Sequence, residues 1–225
     1  MTAVEASVAY RRWAPSYERE NPVTALECEL VARLSRSPQG LRLLDVGCGT
    51  GRRLEDTGAA EAIGIEPCAA MLEAGRQAHA FGREIRLIEG DARALPLSDG
   101  EFDLVWCRLV IGHLAECEKA YRELGRVVTP GGQVVVTDFH PAAYAAGMRR
   151  TFRDGAEVIE VAHYVHDVET QIEAARSAGL ALLRNAEGTI GPVVRPFFEV
   201  AGRLEVFRKH FGMPLVSALV FVRDG

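Results

Sequence analysis

The sequence predicts an α/β protein whose mostly parallel sheet is covered by helices on both faces. Two observations carry that expectation. From about residue 41 onward, short apolar runs alternate with helical stretches, and such alternation implies a parallel sheet packed on both sides. The first apolar run leads directly into a glycine-rich turn, Gly47-Cys48-Gly49-Thr50-Gly51, at the edge of the sheet where open α/β folds bind ligands.

The elements follow in chain order. The opening segment is polar and aromatic, with Tyr10, Trp13 and Tyr17. A helix is expected next, capped by Asn21 or Thr24 with Pro22 near its start. Leu26, Leu30 and Leu34 give it one apolar face, and Ser37-Pro38-Gln39-Gly40 ends it. Leu41 to Val46 reads as the first strand, followed by the glycine turn and a short helix. Ala62 to Ile65 is the second strand, leading to a helix over about 68–80; Ile85 to Ile88 is the third and Phe102 to Trp106 the fourth. A helix over about 116–128 carries Ala120, Leu124 and Val127 on one face. Pro130-Gly131-Gly132 stops it, and Gln133 to Thr137 is the fifth strand.

The last third is less regular. Arg153-Asp154-Gly155 signals a small hairpin. A helix begins near Asp167 and closes at Gly179, and Leu180 to Leu183 is a sixth strand. Phe197, Ala201, Leu204, Phe207 and Phe211 predict an amphipathic helix over 196–211, before a final strand from Leu215 to Val222. The chain reads as one domain over 1–225. Within it, 1–37 forms an N-terminal cap, and 139–166 and 188–212 are insertions that cap a substrate.

Composition narrows the function classes. Hydrophobic residues make up 48% and charged residues 25% of the 225 residues, ordinary for a folded domain. A net charge of -5 gives no reason to expect nucleic acid or an anionic membrane. Five cysteines, at 28, 48, 68, 107 and 117, form no CxxC pair. Neither a disulfide framework nor a metal site is expected, and the cytoplasm is the natural compartment. The N-terminus, MTAVEASVAY, does not read as a signal peptide, and no apolar run reaches membrane-spanning length.

The glycine turn is the most informative motif. Glycine allows positive φ and lets a ligand approach the backbone, and a helix start presents free amides to an anion. A dinucleotide site wants GxGxxG, but here the third glycine comes one position early and Arg52 stands in its place. No Gly-Lys-Ser/Thr follows, which excludes a P-loop. What remains is a nucleoside with a carboxylate tail. Glu66 ends the second strand 21 positions after Asp45, placed to accept both hydroxyls of a ribose. Asp91 follows the third strand in Glu89-Gly90-Asp91-Ala92, where its carboxylate can take an adenine amino group.

Together LLDVGCGTG, IEPCAAM, EGDARALPLSDGEFDLVWC and RVVTPGGQVVVTD, over about 41–138, resemble the class I methyltransferases that use S-adenosylmethionine (SAM). The resemblance implies a Rossmann-like seven-stranded sheet with an antiparallel last strand. It assigns Gly47, Cys48, Gly49 and Gly51 to the methionine part of SAM, with Asp45 ordering their loop. Glu66 would bind the ribose, Pro67 and Met71 would lie near the adenine, and Asp91 and Ala92 would hold its edge. The Cys107 backbone would face the methionine amino group. The pattern Tyr10-x-x-Trp13-Ala14-x-x-Tyr17 resembles small-molecule members in which such tyrosines, here Tyr17 above all, cover the cofactor.

Other residues have plainer readings. Cys48 and Cys68 serve as small space-fillers and Trp106 as core. The phenylalanines of 196–211 pack a core or form an aromatic lid. Arg149, Arg150 and Arg153 form a solvated face or attract a carboxylated substrate. Of six histidines, His79 and His210 read as structural. His113, after the fourth strand, is the first candidate for the catalytic base, and His140, after the fifth, is the second; His163 and His166 lie in the insertion. The function expected is SAM-dependent methylation of a small organic acceptor on oxygen, carbon or nitrogen, a natural product or quinone-like compound, leaving S-adenosylhomocysteine. The alternatives are a non-catalytic SAM-binding regulatory module or a nicotinamide-dependent oxidoreductase. The expected partner is the acceptor, with no nucleic acid, membrane or metal, and the chain is expected as monomer or homodimer.

Overall fold

The computed structural model describes residues 3–225; Met1 and Thr2, the start of the expected N-terminal cap, lie outside the described residues. A seven-stranded sheet dominates. Its strands are β1 (Arg42–Val46), β2 (Glu61–Glu66), β3 (Ile85–Glu89), β4 (Phe102–Arg108), β5 (Val128–Phe139), β8 (Leu180–Thr189) and β9 (Pro214–Arg223), in spatial order β3-β2-β1-β4-β5-β9-β8. β1 to β5 run parallel, and β9 is inserted antiparallel between β5 and β8. The order reverses beside β1, which opens a crevice at the carboxyl ends of β1 and β4.

Helices cover both faces, as the apolar runs require. Along β4, Leu104 and Trp106 enter one core while Val105 and Cys107 enter the other. The first core is closed by Leu26, Leu30 and Leu34 of α2 (Pro22–Leu34). The second is closed by Tyr121 and Leu124 of α4 (Glu118–Val127) and by Ala174 and Ala175 of α6 (Val168–Ser177). Each such leucine stabilises the fold by about 1.5–3 kcal/mol through burial. The start of α2 is fixed by a reciprocal cap. The Asn21 side chain accepts from the Val23 and Thr24 amides, and the Thr24 hydroxyl accepts from the Asn21 amide.

Three elements depart from the sequence expectation. No helix follows the glycine turn; residues 52–56 form turns only, because positive φ at Asp56 and Gly58 stops the chain before a second helical turn can form. The expected helix over 196–211 is two short ones, α7 (Arg195–Val200) and α8 (Leu204–Lys209), broken at Gly202 with φ 65°. The aromatic N-terminus contains a helix, α1 (Ala6–Trp13). It lies against the hairpin of β6 (Thr151–Asp154) and β7 (Glu157–Glu160). Trp13 stacks on Phe152 at 4.8 Å, Val4 bridges Val161, and Arg12 pairs with Asp154 at 2.7 Å. A short α5 (Pro141–Ala145) links β5 to that hairpin.

α3 (Ala69–Ala78) packs beside β2 and β3, and its Gly75 lies against the glycine turn. A methyl at Gly75 would run into the Thr50 carbonyl, a backbone atom that cannot rotate away. Gly75→Ala should therefore lower stability by about 1–3 kcal/mol. A urea-unfolding midpoint equal to that of the parent would contradict this seating of α3.

Candidate functional site

The glycine turn after β1 is held by its own backbone. The Gly47 and Cys48 amides donate to the Ile65 carbonyl at 2.7 and 3.0 Å, tying the loop to the end of β2. Gly47, Gly49 and Gly51 all have positive φ. A side chain at Gly47 would also collide with Val110, so glycine serves both conformation and space here. The Glu66 carboxylate locks the two loops together: Oε2 accepts from the Gly49 amide at 3.1 Å and Oε1 from the Cys68 amide at 3.0 Å.

A cavity of about 460 Å³ opens above this loop. Of the cofactor residues expected from sequence, Tyr17, Gly47, Gly49, Glu66, Pro67, Asp91 and Ala92 line it. Asp45, Cys48, Gly51, Met71 and Cys107 do not line it; all are buried. Met71 backs Gly49, and Leu87 closes on Gly51. Past Cys107 the chain reaches the cavity through Arg108, Leu109 and Val110.

The acids differ sharply. Burial pushes Glu66 up to about 7, against the amides of Cys68 and Gly49 that favour its charge. Burial likewise raises Asp45 to about 6, despite Arg108 and Arg53, and Asp138 to about 6, despite Arg150. The Arg93 guanidinium grips Asp91 through both oxygens and holds it below the usual carboxylate range. Glu27 is fully buried, yet Arg108 and Arg53 overcome the desolvation and keep it ionised.

That Glu27 cluster was not foreseen from sequence. Arg108 takes both Glu27 oxygens, at 2.6 and 2.8 Å, and Arg53 also donates to Oε2. Helix α2 is thereby bound to the end of β4 and to the glycine turn. Arg52, whose presence broke the dinucleotide pattern, donates to the Glu18 carbonyl at 2.7 Å and lies 5.9 Å from the Tyr17 ring centre. The sequence signal was two adjacent arginines after a glycine turn, which carry no spacing code for a partner in another helix.

His113 lines the cavity, with Nε2 2.9 Å from the Tyr10 hydroxyl. Arg150 donates to the same hydroxyl at 3.1 Å and to the Leu109 carbonyl at 3.0 Å. Burial, with Arg150 and His163 nearby, holds the His113 imidazole neutral, its pKa well below the ordinary value. Burial raises the Tyr10 phenol, so it stays protonated and donates to His113. Leu109 adopts φ 60°, a left-handed conformation that costs a leucine about 1–3 kcal/mol.

His140 is not brought to this cavity. It caps α5, its Nδ1 accepting from the Ala142 amide at 3.1 Å, and its Nε2 faces Glu187 at 3.2 Å in a separate depression. His166 contacts the Leu114 carbonyl at 2.8 Å. His163 lies over Gly112, with burial pushing it down to about 3. Trp106 is core, with its indole N–H on Ser35.

A second cavity of about 620 Å³ shares Tyr10, Tyr17, Leu109 and Arg150 with the first. Both insertions line it, through Met148 and Val158 from one and Phe198 and Val206 from the other. Of the phenylalanines, Phe207 is core, Phe198 lines this cavity and Phe211 is exposed. Among the described residues no cluster of histidine, cysteine, aspartate or glutamate is arranged to hold a metal, and no helix is long and apolar enough to cross a membrane.

Comparison with known proteins places the chain among methyltransferase-like sequences and folds. The family described as a methyltransferase domain matches residues 44–136. A demethylmenaquinone methyltransferase of Thermus thermophilus is 38% identical over 140 residues, covering 57% of this chain and 63% of the relative. A malonyl-[acyl-carrier protein] O-methyltransferase of Legionella pneumophila is 31% identical over 149 residues, covering 62% of this chain and 51% of the relative. The chain thus spans less than two thirds of the length of these curated relatives. A solved S-adenosylmethionine-dependent methyltransferase from Mesorhizobium loti superposes with a TM-score of 0.71 at 20% identity, covering 90% of this chain and all of that one, and so shares its fold.

Glu27→Ala would leave Arg108 and Arg53 facing each other without their anion. Loss of one partner from a buried ion cluster costs about 3–5 kcal/mol, and thermal unfolding should reveal that loss. Asp45, Glu66 and Asp138 bind protons more tightly folded than unfolded. Their charging therefore penalises the folded state, so their share of stability falls as pH rises from about 4 to about 7, while neutral His113 and His163 and ionised Glu27 act with the opposite sign. Replacing the three acids by their amides should make the melting temperature climb more steeply across that window than it does in the parent; parallel curves would contradict the assigned burial of these acids.

Proposed function

We propose that residues 44–136, which match a methyltransferase-domain family, form a class I, SAM-dependent methyltransferase domain, and that the chain transfers the methyl group of SAM to a small organic molecule. The observation that carries this is the pairing of two cavities through one shared wall of Tyr10, Tyr17, Leu109 and Arg150. A module that only binds SAM needs the first cavity; an enzyme needs both.

The residues suit a nucleoside that ends in an amino acid. Glu66 retains lone pairs beyond those taken by Gly49 and Cys68, enough to accept two ribose hydroxyls. The Asp45 Oδ1 atom is buried without a hydrogen-bond partner beneath the turn, and Gly47 and Gly49 leave the backbone open to close approach. Pro67, Asp91 and Ala92 border the adenine end, although Arg93 occupies much of the Asp91 carboxylate. Arg108 contributes positive charge to the cavity wall, suited to a carboxylate tail.

Bound SAM supplies a methyl group on a cationic sulfur, open to in-line displacement. The chain's own part is to align the acceptor and exclude water. Tyr10 stands at the junction of the two cavities, oriented by His113 and Arg150. His113 therefore acts on the acceptor through Tyr10 and is a positioning residue. With its proton held on His113 Nε2, the Tyr10 oxygen offers a lone pair that orders a donor group of the acceptor. The strained Leu109 carbonyl holds Arg150 in place.

Calorimetry with S-adenosylhomocysteine tests the cofactor half. Ribose hydroxyls donate to an ionised carboxylate, so affinity should fall about tenfold from pH 8 to pH 6 as Glu66 protonates near 7. Glu66→Gln should weaken binding by at least about tenfold and abolish that pH dependence. An acceptor screen read by mass spectrometry for added methyl tests the other half. With an acceptor found, Tyr10→Phe should cut turnover about a hundredfold and leave S-adenosylhomocysteine affinity nearly unchanged. Unaltered turnover would remove Tyr10 from the mechanism.

A further inference from the structure

The second cavity carries a charge pattern that the transfer reaction alone does not require. Its lining includes Arg149, Arg150, Arg203 and His210 and no aspartate or glutamate. The rest of its wall is largely apolar, with Trp13, Phe139, Val158, Phe198 and Leu215. The whole chain has a net charge of -5, so this concentration of three arginines runs against the overall sign.

The neutralising partners are few. Arg203 has no carboxylate within ion-pair distance among the described residues. Both side-chain contacts of Arg150 are to uncharged oxygens, the Leu109 carbonyl and the Tyr10 hydroxyl. Asp138 lowers the cost of Arg150's charge from β5, but it is not paired with it. Only Arg149 has an acid beside it, Glu160 at 3.6 Å, and its guanidinium also lies 4.0 Å from the Tyr144 ring centre. Arg150 and Arg203 border a largely apolar cavity without a paired carboxylate, and such a cavity favours an anionic ligand.

We propose that the methyl acceptor is an amphipathic anion, a carboxylate or a similarly acidic oxygen on an apolar body. It would lie along the second cavity between Arg203 at the mouth and Arg150 at the junction. This rests on the transfer reading above and names its substrate class. With one acidic group the molecule has two orientations. If the acid meets Arg203, the apolar body reaches inward to present its nucleophile beside Tyr10. If the acid meets Arg150, the anionic oxygen is itself the nucleophile. In that case its lone pair forms the O–CH3 bond, the C–S electron pair returns to the sulfur of the sulfonium donor, and no proton is released.

The test is calorimetric titration of the protein, saturated with S-adenosylhomocysteine, with two probes of equal shape, 2-naphthoate and 2-naphthamide. The naphthoate should bind at least about tenfold more tightly, a preference of about 1.4 kcal/mol, and the preference should shrink as salt is added. Arg203→Gln or Arg150→Gln should reduce it, and the variant with the larger loss identifies the end that holds the acid. Arg203→Lys should retain it. Equal binding of the two probes, or a preference that survives both glutamine variants, would overturn the proposal. Arg203 is exposed, so its variants fold independently of any damage at Arg150. Binding of S-adenosylhomocysteine is read separately in the same cell. Its failure would sink the transfer reading, and the two probes, titrated without it, would still judge the anion site.

Discussion

One buried carboxylate organises the ligand-binding edge of this fold. Glu66 leaves β2 and receives the amides of Gly49 and Cys68, so the loop after β1 and the start of α3 are set by the same side chain. The cost is desolvation of an acid, which lifts its pKa to about 7. An acid held in that state needs donors for its free lone pairs. Under the proposed function, a ribose edge would offer two hydroxyls in the right arrangement for those lone pairs.

The second constraint is attachment of the N-terminal segment. A cofactor cavity at a sheet edge is open to water unless something closes it. Here α2 is pinned through Glu27 to Arg108 and Arg53, and the turn before it is pinned where Arg52 donates to the Glu18 carbonyl. The pinned segment brings Tyr10 and Tyr17 over the cavity, while the Trp13–Phe152 stack attaches it to the β6–β7 hairpin. The two cavities and the N-terminal segment thus share walls, and under the proposed function the shared wall is where transfer would occur.

Much of this was legible in the sequence because it was local. Strand and helix positions followed from apolar periodicity, and the glycine turn, Glu66 and Asp91 marked the sheet edge where the first cavity lies. What was missed depends on contacts between distant segments. Nothing near Arg150 distinguishes it from its exposed neighbour Arg149, yet it turns inward to Tyr10, 140 positions away in sequence. Glu27 sits on an ordinary amphipathic helix, and only the fold shows that its partners are Arg108 and Arg53. His140 follows a strand at the ligand-binding edge, just as a catalytic residue would, but its ring is used to cap α5. The helix expected after Gly51 failed because propensity over a few residues cannot outweigh positive φ at both Asp56 and Gly58.

The most direct test of the account is a crystal structure of the protein grown with S-adenosylhomocysteine. The account predicts the ribose hydroxyls on Glu66, the adenine beside Asp91 and Ala92, and the sulfur facing the wall formed by Tyr10 and Leu109. A ribose turned away from Glu66, or a ligand bound outside this hollow, would contradict it.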